Sequence, residues 1–541
     1  MAQSEDGAET VMQGGDEYLT SRPISVGRNL ISGQPLSGMA YDFGERIDDI
    51  YIDSVSQTAT VQLREVTPNG KYLEGQGQLL LLDLQEDRVR WSRPIIYPYG
   101  QSGITQDGDC LLYYDGRATS RLDMMNGHPL WEARYSFWYV DLDSTRRFGL
   151  GYPPSGGESV SYVDLNTGER VWKRRFPYEH WNDVYRLNDT TVLIFGSGFH
   201  QFNLSTGEGW NYAAVTSKRN DRGRRFLSNL LGISSAIFLG TGFYTWGGVN
   251  QIQGLYAEPL ITDDRIYFSC ADRMVALDRN GQLQWERELP KNIASYSELI
   301  PSDSVLYLVG RGFAFISGAV SSYGRPFFAA YNQQSGKPIF FNVIDQRKCQ
   351  IRAIRPVMDS LVFVTEDRID CRSLQDGLSG REVLIDTAQY GEVIRDVDPE
   401  RYFRRDARTG KFTHVVGSLD SWGVYTTKRK LLLLDKYQQI AEVLELDSLY
   451  YLRDKRDNLS LLRRENISCL VDDNGTLLAE VQTPTTPMWI GTQWFVSVSK
   501  GIMRLDIGDI FRQRYRQLGD EPEKLLGQWV RQPENPMVLI D

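Results

Sequence analysis

The residues able to do chemistry are scattered along this chain. Only four histidines occur, His128, His180, His200 and His414. None stands in an H-x-H, H-E-x-x-H or i,i+4 spacing, so the ligand geometry of zinc or iron is missing. The five cysteines, Cys110, Cys270, Cys349, Cys371 and Cys469, lie far apart with no C-x-x-C. An odd, dispersed set reads as buried thiols rather than as a disulfide framework. No G-x-S-x-G is present, and Gly196-Ser-Gly198 reads as a turn. Gly75-Gln-Gly77 lacks a third glycine, and no Walker lysine follows any glycine run. Asp141 with Asp143, and Asp396 with Asp398, read as solvated turn carboxylates rather than acid/base pairs. Asp472-Asp-Asn-Gly475 lacks the spaced ligands of a calcium loop and reads as a hairpin turn. No catalytic, cofactor-binding or metal-binding residue is assigned, no cofactor is expected, and the expectation is a protein that is not an enzyme.

Charge narrows the partners. The net charge is −10 and the sequence pI about 5.2, whereas nucleic-acid binding needs a basic face to displace counterions. Residues 1–17 are small, polar and acidic and are expected to form a disordered tail. Met1 to Thr10 has neither the basic start nor the apolar core of a secretory signal. The expectation is a cytoplasmic protein as written, or a periplasmic or cell-surface one if a leader was trimmed.

The elements that would position any site come from one recurring pattern. Ser161-Tyr-Val-Asp-Leu-Asn-Thr-Gly-Glu-Arg-Val-Trp172 alternates as a strand, turns at Asn166-Thr-Gly168 and returns to a tryptophan. Copies end at Trp91, Trp131, Trp172 and Trp210, about 40 residues apart, which is the length of a four-stranded propeller blade. A fifth ends at Trp285 and a sixth at Phe340. Weaker copies follow at Asp370–Gly377, Leu431–Tyr437, Ile467–Leu478 and Gly501–Gly508. Each is preceded by an apolar strand such as Thr191–Phe195 or Leu361–Thr365. A four-stranded sheet of this kind buries both faces only against neighbouring copies in a closed ring. The reading is an all-β, single large β-propeller of about eight to ten repeats over residues 18–541. The pairing of Asp49–Asp53 with Met537–Ile540 is the expected ring closure. A short helix is expected near Glu523–Trp529.

The unit (Leu/Val)-Asp-x-x-(Thr/Asn)-Gly-x-x-x-Trp resembles the repeat of pyrroloquinoline-quinone-type propellers. Val163-Asp164 with Gly168 and Trp172, Leu277-Asp278 with Gly281 and Trp285, and Leu122-Asp123 with Gly127 and Trp131 carry the likeness. In that family the tryptophan docks between blades and locks the ring. The resemblance therefore implies a blade-locking role for Trp91, Trp131, Trp172, Trp210 and Trp285, with Phe340 in the same place. The superfamily includes quinone-dependent alcohol and sugar dehydrogenases, which stack the cofactor on a Cys-Cys disulfide or hold it in a cationic pocket beside calcium. This chain has no Cys-Cys pair. The superfamily also includes non-catalytic members such as the lipoprotein scaffold of the outer-membrane β-barrel assembly machine.

Two insertions break the spacing, near 212–260 and 391–421. The first opens with Lys218, Arg219, Arg222, Arg224 and Arg225 and continues as 32 uncharged residues from Phe226 to Ala257. It is long enough to span a bilayer, but both flanks belong to one ring, which a crossing would divide. Packing on the propeller itself, partner docking and shallow membrane contact stay open. The candidate partner-binding residues are Phe226, Leu230, Phe238, Phe243, Tyr244 and Trp246, with Arg224 and Arg225 at the rim. The second insertion, basic through Arg401, Arg404, Arg405, Arg408 and Lys411, reads as a solvated loop, with an acidic partner or anionic ligand as the alternative. The function expected is a monomeric protein-interaction scaffold with a protein partner. The alternative is a small-molecule-binding or quinone-dependent oxidoreductase using the central channel.

Overall fold

The computed structural model describes residues 12–13, 19–212 and 257–518, apart from breaks at 54–55, 97–102, 143–146, 154–158, 176–182, 196–198, 271–272, 291–292, 294, 317–318, 348 and 416–421. Among the described residues the chain forms ten four-stranded antiparallel units. Blade 1 comprises Ile47–Asp53, Thr58–Leu63, Gln76–Asp83 and Arg88–Ile96. Blades 2 to 9 follow over 103–133, 136–175, 183–212, 260–288, 297–343, 353–384, 393–445 and 450–482. Blade 10 takes three strands from 488–506 and its fourth, Leu36–Asp42, from near the start of the chain.

Burial explains why the pattern repeats. The second strand of blade 4, Thr191–Phe195, is buried at every position, as expected for a strand covered on both faces. The fourth strand of blade 3, Arg170–Arg175, alternates between exposed and half-buried residues at the rim. First strands approach one another across blades: Asp49 of blade 1 accepts the Ile104 amide of blade 2 at 3.3 Å. Ala257 likewise bridges to Ser297 at the start of blades 5 and 6. The first strands therefore line the axis and the fourth strands the rim.

Every neighbouring pair of blades shares an apolar cluster. Leu81 and Trp91 of blade 1 meet Leu111 and Leu122 of blade 2. The series continues around the ring. It ends where Tyr41 and Ile502 of blade 10 meet Ala59 and Leu82 of blade 1. The ring is closed, and the fold is a β-propeller with ten blades among the described residues. The four weak copies of the repeat are the third strands and turns of blades 7 to 10.

Closure differs from the sequence expectation. Asp49–Asp53 lies in the axis-side strand of blade 1, not at a seam, and Met537–Ile540 lies outside the described residues. The seam is Leu36–Asp42 paired with Gly501–Asp506. It needs Gly38, because a Cβ there would stand 2.2 Å from the Arg504 carbonyl oxygen. The early chain then straps the rim: Thr20–Val26 adds to blade 10, Arg28–Asn29 to blade 9 and Met12–Gln13 to blade 1. Two residues of the expected tail are thus paired. A helix not expected from the sequence, Gly508–Leu518, follows the last blade and buries Ile510 and Phe511 against Trp489 and Trp494. Glu523–Trp529 lies outside the described residues.

Residues 391–415 of the second insertion are likewise more ordered than a solvated loop, and 416–421 lie outside the described residues. Val393–Val397 is the axis-side strand of blade 8. Tyr402–Arg405 and Phe412–His414 then form a hairpin that joins the sheet of blade 9 at Tyr450 and Tyr451. Tyr402, Phe403, Phe412 and Val415 are buried, which no solvated loop would do.

Candidate interaction face and the blade joints

Each joint starts from the turn aspartate or asparagine. Asp164 accepts the Asn166 amide at 2.7 Å, and the Gly168 amide returns to the Asp164 carbonyl at 2.8 Å. This Asx turn leaves the next carbonyl pointing outward. The tryptophan of the preceding blade donates to it. Trp91 reaches Met124 O at 3.1 Å, Trp131 Leu165 O at 3.0 Å and Trp172 Leu204 O at 2.9 Å. Trp210 reaches Arg279 O at 3.1 Å and Trp285 Gln333 O at 2.9 Å. The indole lies on the turn glycine: a Cβ on Gly336 would sit 2.5 Å from Trp285 and one on Gly168 2.7 Å from Trp131. Glycine is required there twice over, by its positive φ and by the ring.

Sequence reasoning missed a second donor. In Trp91-Ser-Arg93, Trp172-Lys-Arg174 and Trp285-Glu-Arg287 the arginine donates to the carbonyl of the turn glycine, at 3.0 Å from Arg93, 3.1 Å from Arg174 and 2.8 Å from Arg287. The Trp-x-Arg spacing was legible as a signal, since residues i and i+2 of a strand share a face.

At two joints without tryptophan the same carbonyl finds another donor. Phe340 packs on Gly377, and Tyr307 donates to Leu374 O at 3.1 Å. At the seam Arg504 donates to Leu84 O and pairs with Asp87 at 2.9 Å. Between blades 8 and 9 the tryptophan's register position is Glu442, and the hairpin takes over. Arg404 pairs with Glu442 at 2.7 Å and Arg405 with Glu480 of blade 9 at 3.2 Å. The Phe412 amide donates to Gly475 O at 2.8 Å. The hairpin tip, Asp406-Ala-Arg-Thr-Gly410, is the D-x-x-T-G turn of the repeat itself. Asp406 accepts the Thr409 amide at 2.6 Å, and these donors hold its carboxyl below the usual range. That motif could have revealed a hairpin in the sequence.

The remaining candidates do not converge. Phe226, Leu230, Phe238, Phe243, Tyr244, Trp246, Arg224 and Arg225 all lie outside the described residues. Asp141 pairs with Arg186 at 2.6 Å, and Asp398 caps a turn through the Glu400 amide at 2.9 Å. Asp472 accepts the Thr476 amide at 2.8 Å in its hairpin turn. His200 is buried against Asn211 at 2.9 Å, and burial pushes its imidazole pKa down. Among the described residues no three His, Cys, Asp or Glu side chains group as metal ligands, and no helix is long and apolar enough to cross a membrane. At the axis, Asp49 stands out. Burial, reinforced by Asp48, pushes its carboxyl up to about 6 against the Ile104 and Ile50 amides.

No family model and no curated protein matches the chain. Solved structures similar to it include BamB from Moraxella catarrhalis, at 12% identity and a TM-score of 0.30, covering 75% of this chain and 96% of that one. Kluyveromyces lactis Hsv2 matches at 8% identity and 0.27, over 64% and 98%. AztD from Citrobacter koseri matches at 10% and 0.27, over 69% and 93%. Identity this low carries no functional argument, and the propeller assignment stands on the ten sheets themselves.

Proposed function

We propose that this ten-bladed ring is a non-catalytic propeller of the pyrroloquinoline-quinone-type repeat class that serves as a scaffold for a protein partner. The observation that carries this reading is the hairpin at 402–414. It is a projecting element held from both sides, by Glu442 of blade 8 and Glu480 of blade 9, on a closed ring. Its tip, Asp406 to Thr409, is exposed, and Arg408 and Lys411 flank the Thr409-Gly410 turn and are exposed to solvent. Pre-organised surfaces bind without paying the ordering cost of a loose loop. Cross-linking of the tagged full chain in its native host, with mass spectrometry, tests the reading. Cross-links from Lys411 to one recurrent protein, reproduced with purified components, support it. A raised melting temperature and turnover on adding quinone and calcium would replace it with the oxidoreductase reading.

A further inference from the structure

Three arginines lie on or beside the axis-side strands of blades 8 and 9. Arg395 lies on Val393–Val397 opposite Tyr425. Arg401 precedes the hairpin. Arg453 is the extra residue of a β-bulge: Leu452 pairs with Leu462 and Asp454 with Leu461, leaving Arg453 unmatched. A bulge re-aims the side chain it inserts. Arg401 and Arg453 both lie over the ring of Tyr451, at 4.8 and 5.2 Å from its centroid. Arg401 is further fixed by donating to Leu452 O at 3.2 Å. Tyr402 packs edge-on against Tyr451 at 5.1 Å. Burial pushes the pKa of the Tyr402 hydroxyl up, and the positive charges of Arg395 and Arg401 oppose that shift.

None of the three arginines has an ion-pair partner among the described residues. Arg404, Arg405 and Arg456 close by are all paired, the last with Asp454 at 3.3 Å. Asp396 adjoins Arg395 in sequence without pairing to it. All three arginines are exposed residues. Uncompensated like charges repel, and this chain has net charge −10 and carboxylates to spare. A local arrangement that costs stability without a compensating contact marks a site of use. Guanidiniums held against a ring keep their edge donors aligned for carboxylates. A nucleic acid fits less well, because Tyr451 is already engaged by two guanidiniums and Tyr402 and offers no open platform for a base.

We propose that Arg395, Arg401 and Arg453, arranged around Tyr402 and Tyr451, form a docking site for the carboxylates of an acidic segment of a partner protein. The proposal rests on the scaffold reading and names its contact surface. Fluorescence anisotropy of a labelled polyglutamate peptide with the full chain, at low and physiological ionic strength, tests it. Saturable binding is expected, weakened about tenfold or more by Arg453→Glu and about twofold or less by Arg170→Glu on the rim strand of blade 3. Arg453→Gln, neutral and of similar bulk, takes its place if Arg453→Glu melts early. Absent binding at low salt, equal losses from the Arg453 and Arg170 variants, or tighter binding of single-stranded RNA than of polyglutamate would each overturn the site. A native partner that is still held by Arg453→Glu would also remove it, while leaving the scaffold reading in place.

Discussion

The joint between blades 5 and 6 lends itself to a double-mutant cycle on Trp285 and Gly336. Trp285 is 6% exposed, belongs to the cluster of Tyr267, Leu306 and Leu308, and donates to Gln333 O at 2.9 Å. Trp285→Ala removes a large core aromatic, worth about 3–5 kcal/mol, and leaves the Gln333 carbonyl without its donor. Gly336 has φ +64° and would place a Cβ 2.5 Å from the indole. Gly336→Ala alone therefore carries two costs: about 1–2 kcal/mol for a left-handed alanine, and about 1–3 kcal/mol for the clash. In the Trp285→Ala background the clash disappears and only the backbone cost remains. The two changes should couple by about 1–3 kcal/mol, the double variant being more stable than the sum predicts. Urea unfolding measures the totals. Hydrogen exchange at the Gly336 and Asn332 turn amides tests whether the joint opens locally before the ring does. Additivity within about 0.5 kcal/mol, or a loss below about 1 kcal/mol for Trp285→Ala, would refute an indole seated on the turn as the lock of this joint.

Other consequences follow from single contacts. Asp49 titrates near 6 in the fold against about 4 in an open chain. The fold holds that proton more tightly, so stability is highest below pH 4 on this account and falls as pH rises through 6. Asp49→Asn should flatten that part of the melting-versus-pH curve and gain up to about 3 kcal/mol above pH 6; a variant less stable than the parent at pH 8 counts against it. Tyr307→Phe removes the donor to Leu374 O and should cost about 1 kcal/mol in urea unfolding, whereas no change would mean that Phe340 alone holds that joint. Gly38→Val, with its Cβ 2.2 Å from the Arg504 carbonyl oxygen, should open the seam and lower the melting temperature by several degrees. A neutral result there would show that Leu36–Asp42 is not the closing strand.

The repeat was legible because it is local. Val163-Asp164, Gly168 and Trp172 encode a strand, an Asx turn and a returning strand within twelve residues, and their chemistry acts over a few ångströms. Copies with glycine at the turn stood out even where the tryptophan had gone, as at Asp370–Gly377. The hairpin at 402–414 was hidden by its charge. Arg401, Arg404, Arg405, Arg408 and Lys411 dominate the composition, while the four residues that bury it are spread through the same stretch. The D-x-x-T-G at its tip looked like one more loop.

What the sequence by itself determined is the blade: the alternation, the turn aspartate, the glycine and the tryptophan that repeat from Trp91 to Phe340. What only the tertiary structure decided is how the blades meet. The number ten, the seam at Leu36–Asp42 and the hairpin wedged between blades 8 and 9 all depend on contacts between distant residues. Gly38 meets Arg504, Arg404 meets Glu442, and Arg401 and Arg453 come together over the ring of Tyr451. A period along the chain carries local torsional and burial preferences, but it does not carry the inter-blade angle on which closure depends. That angle is set by the volumes packed into each joint, from the indole in one to the Arg504 and Tyr41 pair in another, and those volumes add up only once the ring is assembled.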